Sequence, residues 1–191
     1  MYMNPKSTDA DLIKKYLSGN EFAFEKLYKR YEKPLYGFIY KFVRNKAVTD
    51  DVFQQTWHKV IRALPKYTER GKFSSWVFGI ANNACIDYVR RKDVALKDEA
   101  FSAERMDELP DADGMQDDKM INMEDKLWLK EAVSKLPPEQ KQVVLLRLYA
   151  EMSFKEIAKE LNCSINTVLG RMHYAVNHLK KMNYEVTKNG L

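Results

Sequence analysis

Apolar positions along the chain recur with a three-four rhythm, and no stretch shows the strict alternation of a half-buried strand. In EFAFEKLYKRYEKPLYGFIYKFVRN the apolar residues fall at 24, 27, 28, 31, 35, 38, 39 and 42, which is the period of a buried helix face. Pro34 lies inside that segment and predicts a kink or a break there. Thr49 and Asp50 are candidate caps for a helix carrying Val52, Phe53, Trp57, Val60, Ile61 and Leu64, ended by Pro65. KYTERGK reads as a loop. Ser74 or Ser75 then caps a helix with Val77, Ile80, Ala81, Ala84, Cys85, Tyr88 and Val89 on one side. The first block is therefore expected to be a helical bundle.

The C-terminal block is helical as well, and its punctuation is more specific. Pro138 suits the first turn of a helix, with Glu139 favourable at its positive end. Ser153 followed three residues later by Glu156 is a capping box, and Ile157, Ala158 and Leu161 form the inner face of a short helix. Asn162 tolerates a left-handed turn, and Ser164 caps a longer helix that buries Val168, Met172, Ala175, Val176 and Leu179. Two short-linked helices, the second longer and basic, make a helix-turn-helix pattern, with a plain helical hairpin as the alternative. In the helix-turn-helix geometry the second helix enters the major groove by its N-terminal residues. That leaves Asn166, Thr167, Leu169, Gly170, Arg171, His173, Tyr174 and Asn177 as exposed candidates.

Charge divides the chain in three. Residues 1–95 hold 18 basic and 10 acidic side chains, net +8; residues 96–135 hold 6 and 12, net −6; residues 136–191 hold 8 and 5, net +3. KDEAFSAERMDELPDADGMQDD, at 97–118, has Pro110, Gly114, many carboxylates and no sustained periodicity, so it reads as a linker. A solvated loop within one domain is the alternative, and an unusually long one. The expected architecture is all-α: two small helical domains, 1–95 and 122–191, joined by an acidic flexible linker over 96–121. Fully extended, that linker reaches roughly 90 Å at about 3.4 Å per residue.

Composition removes several function classes. Among 191 residues, 45% are hydrophobic and 12% aromatic, enough for a packed core. No apolar run approaches the roughly 18 residues that span a bilayer, and MYMNPKSTDADLIKKYL lacks the apolar centre of a signal peptide, so a cytoplasmic location is expected. Cys85 and Cys163 cannot by themselves form a disulfide framework or a four-ligand zinc site, and no metal or cofactor is expected. His58, His173 and His178 have no partner at nucleophile or ligand spacing, and no glycine-rich phosphate fingerprint is present, so no catalytic residue is assigned.

A net +3 domain binds DNA weakly by itself, typically in the range of about 10⁻⁴–10⁻⁶ M for non-specific contact, and no heptad run offers a dimer seam. A second nucleic-acid contact or a large partner is needed. Residues 67–92 supply the first: Tyr67, Phe73, Trp76 and Tyr88 are interleaved with Arg70, Lys72, Arg90, Arg91 and Lys92. Aromatics that stack on bases beside cations that hold phosphates suit single-stranded nucleic acid, and Asn82 and Asn83 add amides for a base edge. Trp76 as a plain core residue is the alternative.

These segments together resemble bacterial RNA polymerase sigma factors of the extracytoplasmic-function group. AFEKLYKRY with DDVFQQTWHKVIRAL is similar to the region that engages the beta-prime coiled coil of core polymerase. FSSWVFGIANNACIDYVRRK is similar to the segment that melts and reads the minus-ten element, and LPPEQKQVVLLRLYAEMSFKEIAKELNCSINTVLGRM to the domain that reads the minus-thirty-five duplex. The resemblance implies a promoter-directing initiation factor, with a free-standing dimeric helix-turn-helix regulator as the rival. It implies polymerase contacts at Asp51, Gln54, Gln55, Trp57 and His58, where the family usually has Glu in place of Gln55. It implies minus-ten contacts at Tyr67, Arg70, Lys72, Phe73, Trp76, Asn83, Asp87, Arg90 and Arg91, with Tyr67 and Asn83 capturing a flipped base. Minus-thirty-five contacts are implied at Ser164, Asn166, Thr167, Leu169, Gly170, Arg171, His173 and Tyr174; the family often has a basic residue at 169 and Arg at 174. The partners implied are core polymerase (its beta-prime coiled coil and beta flap), promoter DNA in duplex and single-stranded form, and an anti-sigma factor able to hold the protein at the inner membrane.

Overall fold

A computed structural model describes residues 7–68, 72–98 and 131–189, with side chains described outside 92–98 and 183–189. Every regular element among them is helical: α1 (Asp9–Leu17), α2 (Glu21–Val43), α3 (Lys46–Ala63), a short 3-10 turn (Leu64–Lys66), α4 (Phe73–Asp98), α5 (of which 131–134 are described), α6 (Pro138–Tyr149), α7 (Phe154–Glu160) and α8 (Ile165–Asn189). No helix among the described residues is long and apolar enough to cross a membrane.

Local chemistry sets most of the ends. Thr8 caps α1, accepting from the Asp11 amide at 3.2 Å while the Asp11 carboxylate accepts from the Thr8 amide at 3.1 Å. Arg44 closes α2 in the left-handed conformation at φ 58°, its amide donating to the Tyr40 carbonyl at 2.8 Å. Asn45 follows at once as the cap of α3, its side-chain oxygen accepting from the Val48 amide at 2.9 Å. The helix thus begins four residues ahead of the Thr49–Asp50 cap expected from sequence, and the Thr49 hydroxyl instead donates to the Asn45 carbonyl at 2.7 Å. Nor do Ser74 and Ser75 cap α4, which already includes Phe73.

Pro34 does not break α2, which runs through it to Val43. The proline forfeits one backbone bond and crowds the preceding turn, at a cost of about 3 kcal/mol. Downstream of it Leu35, Phe38 and Ile39 are fully buried. Each such side chain contributes roughly 1.5–3 kcal/mol, so burial carries the helix past the proline.

α2 is the central element of the first half, packed against α1, α3 and α4 around Leu27, Leu35, Phe38, Val60, Leu64 and Phe78. The second half wraps α6, α7 and α8 around Leu145, Leu146, Ile157, Val168 and Ala175. Its turn follows the sequence closely. Ser153 accepts from the Glu156 amide at 3.2 Å, Asn162 is left-handed at φ 48°, and Ser164 accepts from the Thr167 amide at 3.0 Å. The two halves pack onto each other through α2, α4 and α6, so their buried residues form one continuous core. α4 continues to Asp98, past the boundary expected at 95; the rest of the acidic segment up to 121 lies outside the described residues.

Candidate nucleic-acid interface

Three surfaces carry the residues singled out by sequence, and each sits on a different helix. On α3, Asp51, Gln54, Gln55 and His58 are exposed at i, i+3, i+4 and i+7, which places them on one face. Trp57 does not belong to that face. It is 5% exposed, its ring centroid 4.8 Å from Tyr28 and 5.8 Å from Phe24, so its indole fastens α3 to α2 and is not available to a partner. One residue along a helix turns a side chain by about 100°, enough to carry position 57 from the surface into the core.

Beside this face α2 and α3 leave a groove of about 460 Å³, lined by Tyr28, Glu32, Lys33, Tyr36, Asp50, Phe53 and Gln54. The Tyr36 hydroxyl donates to the Asp50 carboxylate at 2.7 Å, and burial together with that carboxylate pushes the phenol up to about 12. Two carboxylates at an aromatic groove suit a basic, partly apolar partner. Most of this lining comes from α2 and escaped the sequence reading, because Glu32, Tyr36 and Asp50 become neighbours only when two helices pack.

The second surface is on α4. Tyr67, ahead of the helix, places its ring centroid 4.7 Å from Trp76 and 5.7 Å from Phe73. Phe73 is 3% exposed and also meets Tyr31 at 5.3 Å, so it anchors the cluster from within and has no free face for a base. Trp76 and Tyr67 are half-buried. Lys72, Asn83, Asp87, Arg90 and Arg91 are exposed and, with Trp76, run in a stripe along one side of α4. The Arg91 side chain donates through Nε to the Asp87 carbonyl at 3.1 Å. Arg70 lies outside the described residues. Asn82, paired with Asn83 in the sequence reading, is 1% exposed, and neither atom of its amide has a hydrogen-bond partner. Only Asn83 of the two can meet a base.

The third surface is the N-terminal half of α8. Ser164, Asn166, Thr167, Leu169, His173 and Tyr174 are exposed, while Gly170 and Arg171 are half-buried on the same helix. Val168 and Ala175 turn inward. Ser164 and Thr167 share a hydrogen bond at 2.9 Å, and His173 pairs with Asn177 at 2.9 Å. Leu169 at 43% and Tyr174 at 63% exposure are apolar surface where a DNA-facing helix would ordinarily present charge. Among the described residues no group of three or more His, Cys, Asp or Glu could hold a metal ion.

Residues 27–94 match the family model of sigma-70 region 2, and residues 126–179 match that of sigma-70 region 4. The chain belongs to the sigma-70 family. It is similar to the extracytoplasmic-function sigma factor SigW of Bacillus subtilis, 28% identical over 88% of this chain and 93% of the relative. It is likewise similar to the RNA polymerase sigma factor CarQ of Myxococcus xanthus, 28% identical over 89% of this chain and 94% of the relative. The fold is that of RpoE in complex with the anti-sigma factor NepR from Bartonella quintana, with a TM-score of 0.69 and 19% identity over 84% of this chain and 96% of that one. CnrH in complex with the cytosolic domain of CnrY has the same fold, with a TM-score of 0.65 and 23% identity over 94% of this chain and 99% of that one. As an extracytoplasmic-function sigma factor, the protein is a transcription initiation factor that directs core RNA polymerase to promoters. Two sigma regions in this order do not favour the free-standing dimeric regulator.

Proposed function

We propose a division of labour in which each of the three surfaces makes one contact. The exposed face of α3 and the acidic groove beside it hold a basic helix of the polymerase beta-prime coiled coil, through Asp51, Gln54, Gln55 and His58 with Glu32 and Asp50 behind them. The stripe on α4 holds the unpaired minus-ten strand: Lys72, Arg90 and Arg91 take phosphates, Tyr67 and Trp76 offer stacking surface, and Asn83 reads a base edge. The N-terminal half of α8 enters the minus-thirty-five major groove, with Asn166, Arg171 and His173 as polar readers and Leu169 and Tyr174 as apolar ones. No bond is made or broken by this chain in that scheme; chemistry stays with the polymerase.

One observation carries the reading most directly: three cations and an exposed amide lie along α4 in line with an aromatic cluster. Duplex-reading helices seldom need such a cluster, whereas an unstacked base does. The acidic segment beyond α4, 99–121, is then a tether whose carboxylates repel DNA and thread a cationic polymerase channel. Cross-links from 105–115 confined to the outer polymerase surface would refute that path. An anti-sigma partner belongs to the proposal too, since both like-folded chains named above were solved with one. The deciding experiment is in vitro transcription by core polymerase on a genomic promoter pool with and without this chain. Promoter-specific transcripts that vanish with Asn83→Ala and Arg90→Ala support the assignment, and undiminished transcripts from both variants refute it.

A further inference from the structure

The first six residues of α8 carry no charged side chain: Ile165, Asn166, Thr167, Val168, Leu169 and Gly170 precede Arg171, which is half-buried. In a major groove guanine is ordinarily taken by Arg or Lys at O6 and N7, cytosine by a carboxylate at N4, and adenine by Asn or Gln at N6 and N7. Thymine differs from all three in offering a methyl group. Asn166 suits adenine, and what remains for an apolar side chain is thymine. Leu169 is 43% exposed, and Ile165, one turn earlier on the same side, is 45% exposed. A solitary surface leucine needs no explanation. Two apolar side chains on the helix end assigned to a groove gain most when something apolar covers them there.

Gly170 is a second and independent observation. It sits in the interior of α8, on the side turned away from the buried Val168 and Ala175. Among the described residues, nothing beyond its own stretch of helix lies within 4 Å of where its Cβ would stand. Packing therefore does not call for glycine, and glycine in a helix interior is destabilising relative to alanine. A missing side chain is useful where a partner's surface comes against the backbone. Because Gly170 follows Leu169 directly, it lets the helix settle toward the bases and carries Leu169 with it. His173, one turn further on, pairs with Asn177 at 2.9 Å, so the next polar group along this side is engaged within the helix.

We propose that Leu169 reads a thymine of the minus-thirty-five element through its C5-methyl group, with the bare backbone at Gly170 giving the close approach that this contact needs. This rests on the assignment of α8 to the minus-thirty-five duplex given above, and it names the base chemistry that the helix selects. Burying one methyl group corresponds to roughly a fourfold change in affinity, so thymine should be preferred by about that factor over the same base without its methyl.

Deoxyuridine pairs as thymine does and lacks only the methyl, so it is the probe. A promoter recovered from the genomic pool is made with each minus-thirty-five thymine, on either strand, replaced in turn by deoxyuridine. Binding by core polymerase carrying this chain is then measured by filter retention. One replacement should weaken binding roughly fourfold. Leu169→Ala should bind the two duplexes alike, and Leu169→Met, still apolar, should keep the preference. At that same position 5-methylcytosine should bind better than cytosine. Gly170→Leu should keep the helical circular dichroism and the unfolding midpoint of the starting protein, since its side chain has open space in the free chain, and yet lose the preference. The absence of any methyl-sensitive thymine, or a preference that survives Leu169→Ala or Gly170→Leu, would overturn the proposal. The two readings fail differently. If scrambling the minus-thirty-five element leaves binding unchanged, α8 does not read duplex and both fall. If scrambling abolishes binding while no deoxyuridine matters, α8 keeps its duplex and only the methyl contact falls.

Discussion

Trp57 separates two readings of α3, since the family resemblance puts it among the polymerase contacts and its burial puts it in the core. At 5% exposure, with Phe24, Tyr28 and Phe53 at centroid distances of 5.8, 4.8 and 6.3 Å, its truncation removes a large buried ring and leaves a cavity. Trp-to-Ala changes in such surroundings cost about 3–5 kcal/mol. A correction runs the other way, because the indole N–H has no acceptor and its removal recovers about 1 kcal/mol. Trp57→Ala should therefore lose about 2–4 kcal/mol. At a urea slope of about 2–3 kcal/mol/M, the unfolding midpoint followed by circular dichroism falls by about 1 M. Trp57→Phe keeps most of the ring, also sheds the orphan N–H, and should lie within about 1 kcal/mol of the starting protein. Both variants, assayed without denaturant where they remain folded, should still capture core polymerase. Trp57→Ala with an unshifted midpoint and lost capture would refute the core assignment, and Trp57→Phe as damaging as Trp57→Ala would show the N–H to be bonded after all.

Neighbouring asparagines should behave oppositely. Asn83→Ala spares polymerase capture and lowers permanganate reactivity of thymines in the opened promoter, whereas Asn82→Leu, replacing an orphaned amide by an apolar side chain, raises stability by about 1 kcal/mol in urea titration. Ser153→Ala should cost about 1 kcal/mol through loss of the α7 cap. The Glu156 half of that capping box has a sign in pH: hydrogen bonds from Ser153 hold its carboxyl below the ordinary glutamate range, so its stabilisation is present above that range and disappears as acidification passes through the lowered value. That carboxylate accepts from the Ser153 backbone N–H, which Ser153→Ala keeps, so the stability gap that should narrow on acid titration is the one between the starting protein and Glu156→Ala, and a constant gap there refutes the box. Leu169→Arg should tighten binding of minus-thirty-five duplex and steepen its logarithmic salt dependence by about 1, measured by fluorescence anisotropy at several salt concentrations.

Features of the fold that a few consecutive residues decide could be read from the sequence, and those that two distant residues decide could not. Ser153 with Glu156, Asn162 and Ser164 specify the helix-turn-helix by bonds that span three residues or fewer, and each is found as expected. Thr49 and Asp50 misled because Asn45, behind a left-handed Arg44, is an equally good cap four residues earlier, and local chemistry alone does not rank the two. Pro34 misled because its penalty is local while the burial that outweighs it is tertiary. At the site, periodicity identified the helices and fell short at single residues: Asn82 against Asn83, and Trp57 against His58, differ by one step around a helix, and packing decides which of each pair is hidden. The seam between the two halves lay furthest from view. Gly79 and Glu160 belong to different halves of the chain, and the glycine carries no signal until a carboxylate is found where its side chain would be. A family likeness aligns each half with its region separately and says nothing of the contact between them. That contact rests on Tyr149 against Phe38 and Phe78 and on Glu160 against Gly79, pairs that lie over 70 residues apart in the chain and that no local pattern could have joined.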